Sequence, residues 1–302
     1  MSVTFRCSDQ SFLSESAVEP SKLTYPLSVS LQITRGCNLA CTYCSELPVP
    51  AFGEHPSMEE LTIMSRNLKG VERVILTGGE PLLRSDLLDV VSLFRDYPAR
   101  AIATNGTLVD RNLAHTLAKS VDYVDITIDG PRKIHDGIRG AYDRIVRGAR
   151  LMSDEGIALS VVTVLLPQNV ESIPYVCQVA DLLSAKRMKI VPSIPKGRGA
   201  NLIGTRFTSE ELLRFFNKIR AEKEKNGWLV KIVLVDWARV GEGHALLIHP
   251  NGEVVASPVF SKEGCFELMG NILQEDIAAI WKRYPYKANH VAKYLEKTIY
   301  VC

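Results

Sequence analysis

Apolar and polar positions along the chain fall into two kinds of segment that alternate. Short runs rich in β-branched residues occur at 27–34 (LSVSLQIT), 71–79 (VERVILTGG), 99–106 (ARAIATNG), 121–130 (VDYVDITIDG), 157–166 (IALSVVTVLL) and 188–194 (MKIVPSI). Their length and composition predict buried strands. Between them lie stretches with helical spacing, such as SMEELTIMSRNLKG, SDLLDVVSLFRDY, AYDRIVRGARLMSDEG and VESIPYVCQVADLLSA. Ser57 and Glu60 form a capping-box pair at the start of the first. The unit is βα, repeated about six times. Parallel strands need crossovers of about a dozen residues or more, and these are right-handed, so the expected fold is α/β, a partial (β/α)6 barrel of parallel strands jacketed by helices.

The pattern changes near residue 200. A long charged helix over Ser209–Asn226 is expected, opened by Thr208 and Glu211, then a strand in WLVKIVLV. A hairpin in HALLIHPNGEVVAS turns at Pro250–Gly252, and a last helix lies around EDIAAIWKRY. The chain is therefore divided into an N-terminal extension (1–26), a core (27–200) and a small C-terminal β-hairpin/helix domain (201–302).

Charge narrows the function classes. Lys plus Arg number 36 against 34 Asp plus Glu, a net charge of +2, which gives no electrostatic case for nucleic acid or an anionic membrane. No signal-peptide pattern opens the chain and no apolar run reaches the roughly 18 to 20 residues that span a bilayer. A cytoplasmic protein is expected. Seven cysteines, an odd number without an export signal, favour thiolate or metal chemistry over a disulfide framework. Cys7 reads as an incidental thiol and Cys177, within an apolar helical pattern, as a core residue.

In folds of this class ligands bind at the carboxyl ends of the strands. The chemistry-bearing residues lie there: Cys37, Cys41 and Cys44 after the first run, GGEP (78–81) after the second, TNGT (104–107) after the third, DG (129–130) after the fourth and PKGRG (195–199) after the sixth. Three thiolates spaced C-x3-C-x2-C on one loop can converge on one centre. Structural zinc takes four closed ligands, and the nearest His is His55. An iron-sulfur cube held by three thiolates leaves one iron open to an outside ligand, which implies chemistry at the cluster.

The spacing, with Asn38 after the first cysteine and Tyr43 before the third, resembles the signature of the radical S-adenosylmethionine enzymes. The resemblance implies one four-iron four-sulfur cluster on Cys37, Cys41 and Cys44, with S-adenosylmethionine chelating the open iron. Reductive cleavage would then give a 5′-deoxyadenosyl radical that abstracts a hydrogen atom from substrate. It further implies that the turn of Gly78, Gly79, Glu80 and Pro81 offers backbone carbonyls to the cofactor ammonium, and that Tyr43, Thr104 and Asn105 line its cavity. Thr127 and Arg139 would bind its carboxylate, a pairing that suits a guanidinium, and Ile194 would form an apolar wall. A flavodoxin- or ferredoxin-type electron donor is implied as a partner.

The C-terminal segment resembles the cap of the SPASM and twitch branch, whose members modify peptides or haems. There extra cysteines hold auxiliary clusters; here Ser257 stands where a cysteine would follow the hairpin, and only Cys265 and Cys302 remain. The cap is read as having lost its metal; alternatively Cys265 is a hydrogen donor to a substrate radical, or Cys265 and Cys302 belong to an incomplete auxiliary site. A ribosomal peptide is expected as substrate, to be cross-linked, epimerised or oxidised. The alternative is a small metabolite such as a sugar, nucleotide or tetrapyrrole, and a remoter one is a non-enzymatic iron-sulfur protein.

Overall fold

The computed structural model describes residues 23–45, 55–194, 196–205, 207–235, 245–256, 267–284 and 299–302. Strand and helix alternate as the apolar pattern requires: β1 (Ser28–Gln32), α1 (Met58–Asn67), β2 (Arg73–Thr77), α2 (Leu87–Ser92), β3 (Ala99–Thr104), α3 (Arg111–Ser120) and β4 (Tyr123–Thr127). The series continues with α4 (Arg132–Ile138), α5 (Tyr142–Asp154), β5 (Leu159–Leu165), α6 (Ile173–Leu182), β6 (Arg187–Pro192), α7 (Ser209–Asn226) and β7 (Lys231–Val235). After it come β8 (Ala245–Ile248), β9 (Glu253–Val255), β10 (Leu268–Asn271), α8 (Ile277–Lys282) and β11 (Ile299–Val301).

Local chemistry sets several helix ends. Ser57 and Glu60 close a reciprocal capping box on α1, and Thr208 and Glu211 do the same on α7, which stops at Gly227 in the left-handed conformation. Each box satisfies amides that the first helical turn leaves without partners.

The strands form one sheet, ordered β10-β9-β8-β1-β2-β3-β4-β5-β6-β7-β11 among the described residues. Strands β1 to β7 pair in parallel in chain order. The parallel array runs past the six strands expected of the core at both ends: β7 pairs with β6, and β8 pairs in parallel with β1 (Ser28 opposite Ala245). The antiparallel pairs lie outside it, β8 with β9, β9 with β10 and β7 with β11.

Side chains on successive strand positions point to opposite faces. Val29, Leu31, Val74, Leu76, Val124, Ile126, Val161, Met188 and Ile190 are buried in the apolar core under the helices. The intervening Ser30, Ile75, Thr77, Asp125, Thr127, Val162, Lys189 and Val191 line a cavity on the other face. Alternation along each strand thus builds a dry outer layer and a polar interior. No helix among the described residues is long and apolar enough to cross a membrane.

Candidate active site

The cavity holds about 420 Å³ and opens at the carboxyl ends of the parallel strands, a size in the range of small-ligand sites. Cys37, Cys41 and Cys44 all line it, together with Tyr43, Gly78, Gly79, Thr104, Asn105, Thr127 and Arg139. The loop carrying the cysteines leaves β1 and is held by its neighbours: Gly79 N–H donates to Thr34 O at 2.9 Å, Glu80 N–H to Gly36 O at 2.8 Å and Thr42 N–H to Ile138 O at 2.9 Å. The contact at Gly79 is so close that a Cβ there would stand 2.2 Å from Gly36 O. Only glycine fits.

Glu80, expected to touch the cofactor, is fully buried and lies outside the cavity lining. Its carboxylate accepts from Thr104 Oγ1 (2.6 Å), Leu82 N (3.0 Å) and Asn105 N (2.7 Å), tying the turn after β2 to the end of β3. Burial pushes the carboxyl up, and these three donors oppose it. Pro81, buried as the first residue of a 3₁₀ turn (Pro81–Leu83), also lies outside the lining, as does Ile194. The Glu80 carboxylate is thus committed to bracing the turn from within the protein.

A second network fixes the cysteine loop. Asn105 Nδ2 donates to Asn38 Oδ1 at 2.8 Å, Asn38 Nδ2 donates to Thr107 Oγ1 at 2.8 Å, and Thr107 N and Oγ1 both return to Asn105 Oδ1. The residue after the first cysteine is thereby locked to the end of β3.

A third is centred on Asp129, which sequence reasoning placed at a strand end but gave no role. Its carboxylate, fully buried, accepts from Tyr43 Oη at 2.8 Å, Arg139 Nε at 3.2 Å and Val164 N at 3.0 Å. The Arg139 guanidinium also donates to the Tyr43 oxygen and lies 5.5 Å from the ring centroid. Burial pushes the Tyr43 phenol well up, so it stays protonated. Burial works against the charge on Arg139, but the oxygens of Tyr43 and Asp129 outweigh it and hold the guanidinium pKa up. His135, fully buried, accepts the Asp129 N–H on Nδ1 at 3.0 Å, which leaves the proton on Nε2. That atom has no hydrogen-bond partner and its ring meets Tyr142 edge-on, 5.4 Å between centroids.

Burial raises the Cys37 and Cys41 thiols, opposed at Cys37 by the Leu39 amide and at Cys41 by Arg139. Metal entry must therefore expel protons. Among the described residues no group of three His, Cys, Asp or Glu side chains is arranged to hold a single metal ion. Three thiols lining one cavity fit an iron-sulfur cube that takes three protein ligands and leaves one iron open. Cys265 and Ser257 lie outside the described residues. Cys302 pairs through its backbone with Ile232, and its thiol packs on the apolar core. Cys177 is fully buried, its thiol pushed up to about 12 by that burial.

Sequence reasoning did not single out Ser30, Arg35, Asp125 or Lys189, and it marked the PKGRG segment without giving Arg198 a role; all five line the cavity. The signal for Asp125 and Lys189 was present: each is a charge spaced by two from another inward position on its strand.

The Radical SAM superfamily pattern matches residues 31–180. A probable GTP 3′,8-cyclase of Methanopyrus kandleri is 30% identical over 227 residues, covering 68% of this chain and 72% of that protein. The Fe-coproporphyrin III synthase of Methanosarcina barkeri is 30% identical over 215 residues, 68% of this chain and 54% of its own. A PqqA peptide cyclase of Gluconobacter oxydans is 30% identical over 227 residues, 70% and 62%. The chain thus spans little more than half the length of the Methanosarcina relative and under two thirds of the Gluconobacter one. Among solved structures, Streptococcus suis SuiB bound to precursor peptide SuiA superposes with a TM-score of 0.73 at 16% identity, over 89% of this chain and 67% of that one. AnSMEcpe with bound AdoMet gives 0.66 at 19%, over 89% and 82%. At such identities these two establish the shared fold.

Proposed function

Because the chain belongs to the radical S-adenosylmethionine superfamily, we propose that Cys37, Cys41 and Cys44 hold its four-iron four-sulfur cluster and that the adjoining cavity takes S-adenosylmethionine. The family uses both groups, and SuiB is known with S-adenosylmethionine bound. The observation that carries the reading is the meeting of the three thiols, the Gly78–Gly79 turn, Thr127 and Arg139 around one cavity. When bound there, the two groups supply an electron and a 5′-deoxyadenosyl radical able to take a hydrogen atom from substrate.

The chain's own residues orient and enclose. Arg139, steadied by Asp129 and Tyr43, offers its remaining N–H groups with Thr127 to the cofactor carboxylate. Glu80 holds the turn whose carbonyls face the cofactor ammonium. The buried apolar layer behind the strands keeps the floor of the site rigid, which positions a substrate carbon and excludes water.

The substrate reading is modification of a ribosomal peptide, supported by the PqqA peptide cyclase among the relatives. A small metabolite is the second reading, favoured by the compact volume of the cavity and by the relatives named for GTP and coproporphyrin. Residues 27–200 would supply the radical core and 201–302 the cap. A flavodoxin- or ferredoxin-type protein would deliver the electron in the cytoplasm, where thiols stay reduced.

The test is anaerobic. Reconstituted protein, reduced, should convert S-adenosylmethionine to 5′-deoxyadenosine and methionine, and should carry about four irons per chain. Cys37→Ala should abolish cleavage while circular dichroism is unchanged; cleavage that survives the change would sink the assignment. Iron persisting in a Cys37/Cys41/Cys44→Ala triple variant would point to a further metal site in the cap.

A further inference from the structure

The segment after β6 carries an arginine that the cluster and cofactor reading does not use. Residues Gly197–Thr205 form a 3₁₀ stretch that begins against the cysteine loop. Gly199 N–H donates to Cys44 O at 3.3 Å. A Cβ at Gly197 would stand 2.5 Å from Ser45 O and 2.7 Å from Cys44 O, and one at Gly199 would stand 2.8 Å from Tyr43 O. The two glycines let this backbone press onto the backbone of the third cysteine, with Gly197 also in the left-handed region. Arg198, between them, is thereby held at the cavity wall.

Its Nε is buried and has no hydrogen-bond partner. Buried polar groups in native proteins are paired, and an unpaired donor costs about 1–3 kcal/mol. Arg198 is thus a cavity-lining arginine with one donor that the protein itself does not match. The charge of the lining agrees. Four cations, Arg35, Arg139, Lys189 and Arg198, face one carboxylate, Asp125. Arg139 is matched by Asp129, and Asp125 by Arg187 at 3.3 Å from outside the lining.

The cofactor brings a single anionic group, its carboxylate, which the preceding reading gives to Arg139 and Thr127. We propose that Arg198 anchors an anionic group of the substrate, a carboxylate or a phosphate, and so sets which substrates enter the cavity. The proposal rests on that reading of the cofactor site. It makes Arg198 a specificity-determining residue: a planar guanidinium pairs with either oxyanion through two parallel hydrogen bonds.

The experiment uses the full chain, cluster-loaded, with saturating S-adenosylmethionine. Sodium acetate and inorganic phosphate are titrated separately against sodium chloride at matched ionic strength, and the thermal midpoint is followed, since a ligand that binds only the folded state raises it saturably. The wild type should respond to one of the two anions, and which one tells carboxylate from phosphate. Arg198→Gln should raise the half-saturating concentration at least tenfold. Arg198→Lys, which keeps the charge, should fall between, and this grading separates a lost site from a damaged fold. A wild type indifferent to both anions, or an unchanged response in Arg198→Gln, overturns the proposal. So does a tenfold or greater loss of S-adenosylmethionine affinity in Arg198→Gln, which would assign the residue to the cofactor carboxylate. A wild type that takes up neither cluster nor cofactor overturns the preceding reading, and this one with it.

Discussion

Single residues decide whether the three cysteine thiols meet. Glu80 is a brace, and its three donors make it expensive to remove: Glu80→Ala would strand Thr104 Oγ1 and the amides of Leu82 and Asn105 in a dry interior. At about 1–3 kcal/mol per unsatisfied group, partly relieved by relaxation, a loss of roughly 2–4 kcal/mol is expected in urea unfolding of the apo-protein. Gly79 is a spacer. Its replacement by Ala must push the Thr34–Gly36 backbone away, so iron content per chain should fall severalfold with all three cysteines in place, as a colorimetric iron assay would read. Neither substitution removes a metal ligand, which separates positioning from ligation.

At the scale of elements, α4 carries a titrating group in its core-facing turn. His135 has its pKa held below 6.5, first by burial and then by Arg139, with the carboxylates of Asp129 and Asp136 pulling the other way. The folded state thus prefers the neutral ring more than the unfolded chain does. Its contribution to stability is complete above about pH 6.5 and is lost as pH falls through the lower folded value. Thermal midpoints of the apo-protein between pH 7.5 and 5 should drop, and should drop less in His135→Asn, whose side-chain oxygen can still accept the Asp129 N–H. The strands and helices behind this site were legible because their cues are local. The alternation in VDITID places Asp125, Thr127 and Asp129 on one side of β4, and Ser57 and Thr208 announce α1 and α7 with their Glu partners. The Asp129–Tyr43–Arg139 cluster was only half legible: Tyr43 and Arg139 came from a family resemblance, while the carboxylate that joins them is 86 positions from one and 10 from the other. Glu80 was expected as part of a turn that offers backbone carbonyls; that its carboxylate braces the end of β3 was not legible, since a strand-end acid looks the same in sequence whether it turns outward or into the protein.

For the whole molecule, the sheet does not respect the change of pattern near residue 200. The strand in WLVKIVLV reads locally as the start of a cap, yet β7 completes the parallel series, and β8 lies against β1 on the other side. Which strand pairs with which is decided by distant hydrogen bonds that no local pattern encodes. The segment from Ile272 through α8 also reaches back: Trp281 Nε1 donates to Leu23 O at 2.9 Å, and Asn67 Nδ2 donates to Ile272 O at 2.7 Å. A chain truncated after residue 235 would expose the β1 edge and the face that Ile277, Ile280 and Trp281 cover, so it should aggregate where the full chain stays dispersed, measurable by light scattering after refolding. The same pairing has a consequence in time. The strand that carries the cysteine loop waits for a neighbour 217 positions away in sequence, as the His249 to Gln32 contact shows. At roughly 5–20 residues per second of synthesis, β1 leaves the ribosome about 10–45 s before β8 exists. Through that interval β1 lacks its β8 neighbour, and the nascent chain carries an unpaired strand edge close to three thiols, the feature that makes partly made sheets prone to associate.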